Sequence, residues 1–187
     1  VLACHSARPA ASASVDTCAA ASGQLPTAAT AAGLAGEYRL QLMATAGPDS
    51  GTSVRGRLEL REPPDSLQQP PPMLGIRDTT THYPLAGLAE LDREALGATN
   101  TGALASTDPA APGVLLIERH PARPAAPAEI LLRLGADANR RGLVRYDGGY
   151  FALTIRRLDR ARFAGTWASG ALGASTAGYF CAERTGP

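Results

Sequence analysis

From Gly36 onward the chain alternates. Tyr38, Leu40 and Leu42 are separated by Arg39 and Gln41, which gives an extended segment one dry face and one wet face. Gly47-Pro48-Asp49-Ser50-Gly51 supplies turn chemistry, and Val54, Leu58 and Leu60 then alternate with Arg55, Arg57, Glu59 and Arg61. These two segments predict a hairpin. Pro63-Pro64 and the run from Gln68 to Pro72 remove ladder donors and predict a loop. A short strand is expected near Met73 to Arg77 and another over His82 to Leu91. The leucines of Leu85 to Leu91 also suit a helical turn continuing to Leu96; a strand followed by a turn is the preferred reading.

Small polar residues from Asn100 to Gly113 predict a further loop. Val114 to Glu118 and Ile130 to Leu134 are short apolar runs joined by the proline-rich Pro121 to Pro127. Leu143 to Tyr146, Asp147-Gly148-Gly149 and Tyr150 to Leu158 predict a tight hairpin, because Asp-Gly and Gly-Gly accept positive φ at little cost. Phe163 to Trp167 and Gly178 to Ala182 close the series. About eight or nine short strands, with no long helical pattern among them, define an all-β antiparallel barrel, with a sandwich as second choice. Gly56, Gly165 and Gly178 inside strands suit the bends that barrel closure requires. Tyr38, Leu40, Leu58, Leu132, Phe151, Leu153, Ile155 and Trp167 are the residues expected to point inward.

Before Gly36 the character is different. An Ala/Ser/Pro/Thr stretch has few large apolar groups and cannot offset its own ordering entropy. The expected organisation is therefore a disordered low-complexity tether over residues 1-35 and one domain over residues 36-187. Val1-Leu2-Ala3-Cys4 resembles the lipobox of bacterial envelope lipoproteins, in which a small residue precedes the cysteine that is lipidated. That resemblance implies lipidation at Cys4, anchoring to a membrane through an N-terminal lipid, and export to the bacterial periplasm or cell envelope. Of the three cysteines, Cys18 and Cys181 are then expected to form a disulfide, which suits an oxidising compartment. A loop of that length is worth about 4 to 5 kcal/mol in the chain-entropy model.

Charge narrows the partners. The formal net charge is +1, too small for nucleic acid as the main partner, and no apolar run reaches the length of a membrane-spanning helix. All 18 basic residues are arginine. A G- and C-rich genome accounts for that bias together with the many Ala, Gly and Pro; the sharper reading is a surface suited to bidentate carboxylate contacts. Arg55, Arg57 and Arg61 are expected on one face of a strand, and Arg156, Arg157, Arg160 and Arg162 around a strand connection. Both groups are candidates for gripping an acidic protein surface or lipid phosphates, against the blander reading of a wet face balanced by Glu59, Glu62 and Asp159.

Tests for catalytic chemistry fail in turn. Gly173-Ala174-Ser175-Thr176-Ala177 is one glycine short of a nucleophile elbow and is expected in a β-turn. His5, His82 and His120 lack metal-ligand spacing. Glu59 with Glu62, Asp92 with Glu94, and Asp159 sit among arginines as solvated charges do, and Gly148-Gly149 belongs to a hairpin and not to a phosphate loop. No catalytic residue, cofactor or metal is therefore assigned. The Gly36-Glu37-Tyr38 and Gly165-Thr166-Trp167 strand starts are similar to those of calycins, the group that includes lipocalins and avidins, although Tyr38 stands where those families place Trp. That similarity implies a barrel, and no ligand site is carried over from it. Two functions are expected: a non-catalytic, membrane-tethered accessory subunit docking on a membrane protein complex, or a carrier holding a small apolar ligand inside the barrel.

Overall fold

The computed structural model of the chain describes residues 31–68, 81–91, 112–120, 128–135, 151–159, 161–171 and 174–186. They form a closed barrel of eight antiparallel strands, each paired with its neighbours in sequence, with the last strand returning to the first. The strands are β1 (Gly36–Ala46), β2 (Ser53–Arg61), β3 (Thr81–Leu91), β4 (Val114–Arg119), β5 (Glu129–Leu134), β6 (Phe151–Leu158), β7 (Arg162–Ala171) and β8 (Ala174–Arg184). A 3-10 turn, Ala31–Leu34, precedes β1, and a single helical turn, α1 (Asp65–Gln68), lies between β2 and β3.

The period-two pattern is what rolls the sheet. Leu40, Leu42, Leu58, Leu85, Leu116, Leu132, Leu153 and Phe180 are all at most 1% exposed and point to one axis; in β1 and β2 they alternate with polar neighbours, whereas in β4 the outward Leu115 and Ile117 are apolar too. All eight residues expected to point inward are buried. Aromatic rings fill the axis toward the 3-10 turn, with Tyr38 and Phe163 edge to face at 5.0 Å between centroids and Phe163 and Phe180 at 6.1 Å. Phe151 and Trp167 meet at 5.8 Å.

Local chemistry sets the connections. The β1–β2 hairpin turns at Gly47 to Gly51, where both glycines take φ of 90° and Ser50 N–H donates to Gly47 O at 3.2 Å. Pro84 lies within β3, where the register to β4 slips between His82 and Leu85, the irregularity that a residue without an N–H needs. Gly178 stands opposite Trp167 and against β1, where a Cβ would run into the Met43 carbonyl oxygen. The indole covers that gap and donates from Nε1 to Met43 O at 3.2 Å.

Leu85 to Leu91 is strand, in agreement with the preferred reading, while other expectations shift: the final pair of strands is longer than predicted, reaching Ala171 and beginning at Ala174. Ser175, Thr176 and Ala177, expected in a turn, belong to β8 and pair with β7. The folded body includes Ala31 and Leu34, both in the core, so it begins no later than Ala31 and takes in residues first assigned to the tether. The expected strand at Met73 to Arg77 and the Leu143 to Tyr150 half of a hairpin lie outside the described residues. No helix among the described residues is long and apolar enough to cross a membrane.

Candidate functional site: the outer wall

Because the strands close on each other, chemistry open to a partner has to come from the two ends or from the outer wall. One end is sealed by the protein itself. Tyr38 donates its hydroxyl to Leu34 O at 2.8 Å and accepts from Arg184 Nη2 at 2.9 Å. Arg184 also donates to Ala35 O at 3.0 Å and Gly33 O at 3.4 Å, with its guanidinium 5.2 Å from the Tyr38 ring centre. The first and last strands are thereby locked to the 3-10 turn that plugs the barrel. Burial pushes the Tyr38 hydroxyl above the usual tyrosine value of 10.0, against the pull of the nearby Arg184 charge and its hydrogen bond. At the opposite end the buried Thr176 donates from Oγ1 to Asp49 Oδ2 at 3.1 Å, tying β8 to the β1–β2 turn.

The outer wall brings the two arginine groups together. In sequence they lie about a hundred residues apart, yet β8 pairs with both β1 and β7, so β2, β1, β8 and β7 stand side by side. One outward row runs Glu90, Arg57, Arg39, Glu183, Arg162 across five strands. The next runs Arg55, Gln41, Cys181, Ala164, Arg157. At about 4.8 Å per strand, each row spans roughly 19 Å of wall. Arg39 Nη2 meets Glu183 Oε2 at 3.2 Å, and Arg162 Nε meets Asp159 Oδ2 at 3.4 Å. Asp159 Oδ1 also accepts from the backbone N–H groups of Ala161 and Arg162 at 2.9 and 2.8 Å. Slight burial raises the Asp159 carboxyl, but these hydrogen bonds and the Arg162 charge outweigh it and hold the group below its usual value.

The belt therefore carries Arg39, Arg55, Arg57, Arg157 and Arg162 against Glu90, Glu183 and Asp159, with Glu37 and Glu59 opposite each other in the adjoining row. Arg61, also exposed, pairs along its own strand with Glu59 at 3.7 Å. Arg156 is exposed at a register shift in β6, while Arg160 lies outside the described residues. Sequence reasoning missed Arg39. The alternation puts Arg39 on a wet face, but nothing along the chain shows that it stands opposite both Arg57 and Glu183.

Cys181 is disulfide-bonded and faces outward in the middle of this belt. Cys4 and Cys18 lie outside the described residues. β8 is paired on both sides, so the cysteine sits on a continuous wall and not at a sheet edge.

Above the belt the wall changes character. A row of alanines, Ala152, Ala168, Ala177 and Ala46, starts from Arg133, and a parallel row reads Leu131, Thr154, Thr166, Tyr179 and Met43. The small side chains leave a shallow groove of about 540 Å3. Further round, Ala86, Leu115 and Ile117 are buried on the outer face of β3 and β4, with Leu67 of α1 packed among them. His82 and Glu118 stand opposite each other at the ends of β3 and β4, and His120 Nε2 lies 3.9 Å from Glu118 Oε1. No group of three or more His, Cys, Asp or Glu among the described residues is placed to hold a metal ion. His5, Asp92, Glu94 and Gly148-Gly149 lie outside the described residues.

No family model matches the chain, and no curated protein matches it. Among solved structures, EF1p2_mFAP2b bound to DFHBI aligns over 86% of this chain and 100% of that chain, at 10% identity and a TM-score of 0.39. The likeness is too distant to bear on the ligand or activity of this chain.

Proposed function

We propose that this chain is an exported, non-catalytic docking domain that is held at a membrane by a lipid on Cys4 and binds an acidic face of a membrane protein complex through its arginine belt. The observation that carries this reading is the convergence of Arg39, Arg55, Arg57, Arg157 and Arg162 on one stretch of wall, interleaved with Glu90, Glu183 and Asp159 and bordered by Glu37 and Glu59. Arginine suits such a contact because its planar fork can grip a carboxylate with two hydrogen bonds. The same fork meets lipid phosphate equally well, so the belt of a lipid-anchored domain also has a place to rest when no partner is bound. A carrier needs an empty interior, whereas here the rings of Tyr38, Phe163 and Phe180 occupy the axis near the 3-10 turn, which favours docking over carriage.

The test is co-purification of the full chain from its native membrane in mild detergent after brief cross-linking, compared with a variant carrying Arg55→Glu, Arg57→Glu and Arg157→Glu. A stoichiometric partner retained by the wild type and lost from the variant, with wild-type binding that weakens as salt rises, is the expected outcome. Recovery of the wild-type protein always alone would sink the proposal. A mass measurement of the N-terminal fragment tests the anchor separately: a diacylglycerol mass on Cys4 supports it, and an unmodified thiol or cystine there removes it.

A further inference from the structure

The groove above the belt takes no part in that proposal. Its floor is the outward face of β6, β7 and β8, where Ala152, Ala168 and Ala177 stand shoulder to shoulder with Thr154 and Thr166. Side chains of this size leave a trough, and larger ones raise its rims: Tyr179 on one side, Leu131, Arg119 and Arg133 on the other. The volume of about 540 Å3 falls within the range of small-molecule sites, which runs roughly from 300 to 1,000 Å3.

Three features define the occupant. The floor is apolar and flat, broken only by two threonine hydroxyls, so it favours a planar apolar body over a branched one. Among the described residues the lining carries Arg119 and Arg133 and one carboxylate, Glu129, which lies 4.0 Å from Arg119 Nη1. At 4.0 Å that pair is beyond hydrogen-bond reach, and Arg119 is 43% exposed, so its guanidinium can turn to an incoming anion. Finally, the strands beneath are paired on both sides, so no backbone ladder is open and a peptide could not bind here by adding a strand.

We propose that this groove is a binding site for a small amphipathic anion, a flat aromatic or alicyclic body bearing one carboxylate or sulfonate, with the apolar part on the alanine floor and the anion on Arg119. The site is separate from the belt and does not depend on it.

The test uses 8-anilinonaphthalene-1-sulfonate as the anionic probe and N-phenyl-1-naphthylamine as its neutral counterpart, titrated against the full chain by fluorescence. Near-ultraviolet circular dichroism verifies native packing in every variant. The wild type is expected to bind the sulfonate saturably at one site. Ala168→Phe, which fills the floor from the solvent side, weakens both probes by at least about tenfold, and Arg119→Gln weakens the sulfonate by about fivefold while leaving the neutral probe unchanged. The belt variant Arg55→Glu, Arg57→Glu binds both as the wild type does. Absence of saturable sulfonate binding up to about 1 mM would overturn the proposal. So would a folded Ala168→Phe variant with undiminished affinity, which would place the probe at the barrel mouth, or an Arg119→Gln variant that affects the two probes equally.

Discussion

Replacing Arg184 by methionine keeps the aliphatic stem and removes the group that locks the two ends of the chain together. The guanidinium donates to Ala35 O at 3.0 Å, to Tyr38 Oη at 2.9 Å and, more weakly, to Gly33 O at 3.4 Å. Hydrogen bonds from a charged donor are worth about 1.5 to 3 kcal/mol when well buried, but Arg184 is only half-buried and water can replace it at the carbonyls, so about 0.5 to 1 kcal/mol each is the fitting figure. Stacking over Tyr38 adds about 0.5 kcal/mol. The expected loss is about 2 kcal/mol, which for a domain of this size lowers Tm by roughly 4 to 8 °C. Tyr38→Phe leaves the buried Leu34 carbonyl without its donor and costs about 1 to 2 kcal/mol.

Since the two side chains share a hydrogen bond, the double variant is expected to lose about 1 kcal/mol less than the sum of the singles. Urea titrations followed through the buried Trp167, with far-ultraviolet circular dichroism as the second probe, measure all four corners of the cycle. Strictly additive losses would refute the coupled latch. A Tm for Arg184→Met within about 1 °C of the wild type would refute its energetic importance altogether.

Other outcomes follow from the same geometry. Because burial raises the Tyr38 hydroxyl, stability from this group is fully present below pH 10 and declines as pH rises through the folded-state value; Tyr38→Phe is expected to flatten that alkaline decline in a Tm against pH series. Asp159 has the opposite sign: its lowered carboxyl contributes stability above the ordinary value of 3.8 that is lost as pH falls through the folded value. Asp159→Asn is expected to remove that acid-side slope in the same series. Gly178→Val drives a side chain into the Met43 carbonyl between paired strands and is expected to cost more than about 3 kcal/mol or to abolish soluble expression, whereas Gly186→Val, in open space, leaves Tm unchanged. If Cys18 is the partner of Cys181, peptide mapping without reduction recovers the two in one fragment, and Cys181→Ser lowers stability in urea by about 4 kcal/mol. A Cys181 peptide linked to Cys4 would exclude both that pairing and lipidation.

The barrel class was legible in the chain because a strand's dry and wet faces are written at period two, and Tyr38 to Leu42 and Val54 to Arg61 carry that period cleanly. Turn chemistry at Gly47 to Gly51 was equally local, since positive φ selects glycine wherever it occurs. Local reading failed at Ser175 to Ala177, where small residues with weak intrinsic preference are held as strand by their pairing with β7. It failed also at Ala31 to Leu34, whose place in the core depends on Tyr38 and Arg184 across the barrel end. The arginines were visible as two separate groups. Only closure of the sheet could set Arg57 beside Arg39, Arg39 beside Glu183 and Glu183 beside Arg162, because register between strands far apart in sequence is decided by the packing of the whole inner face. The groove has the same origin: Ala152, Ala168 and Ala177 look like unremarkable small residues along the chain, and become a floor only where three strands put them side by side.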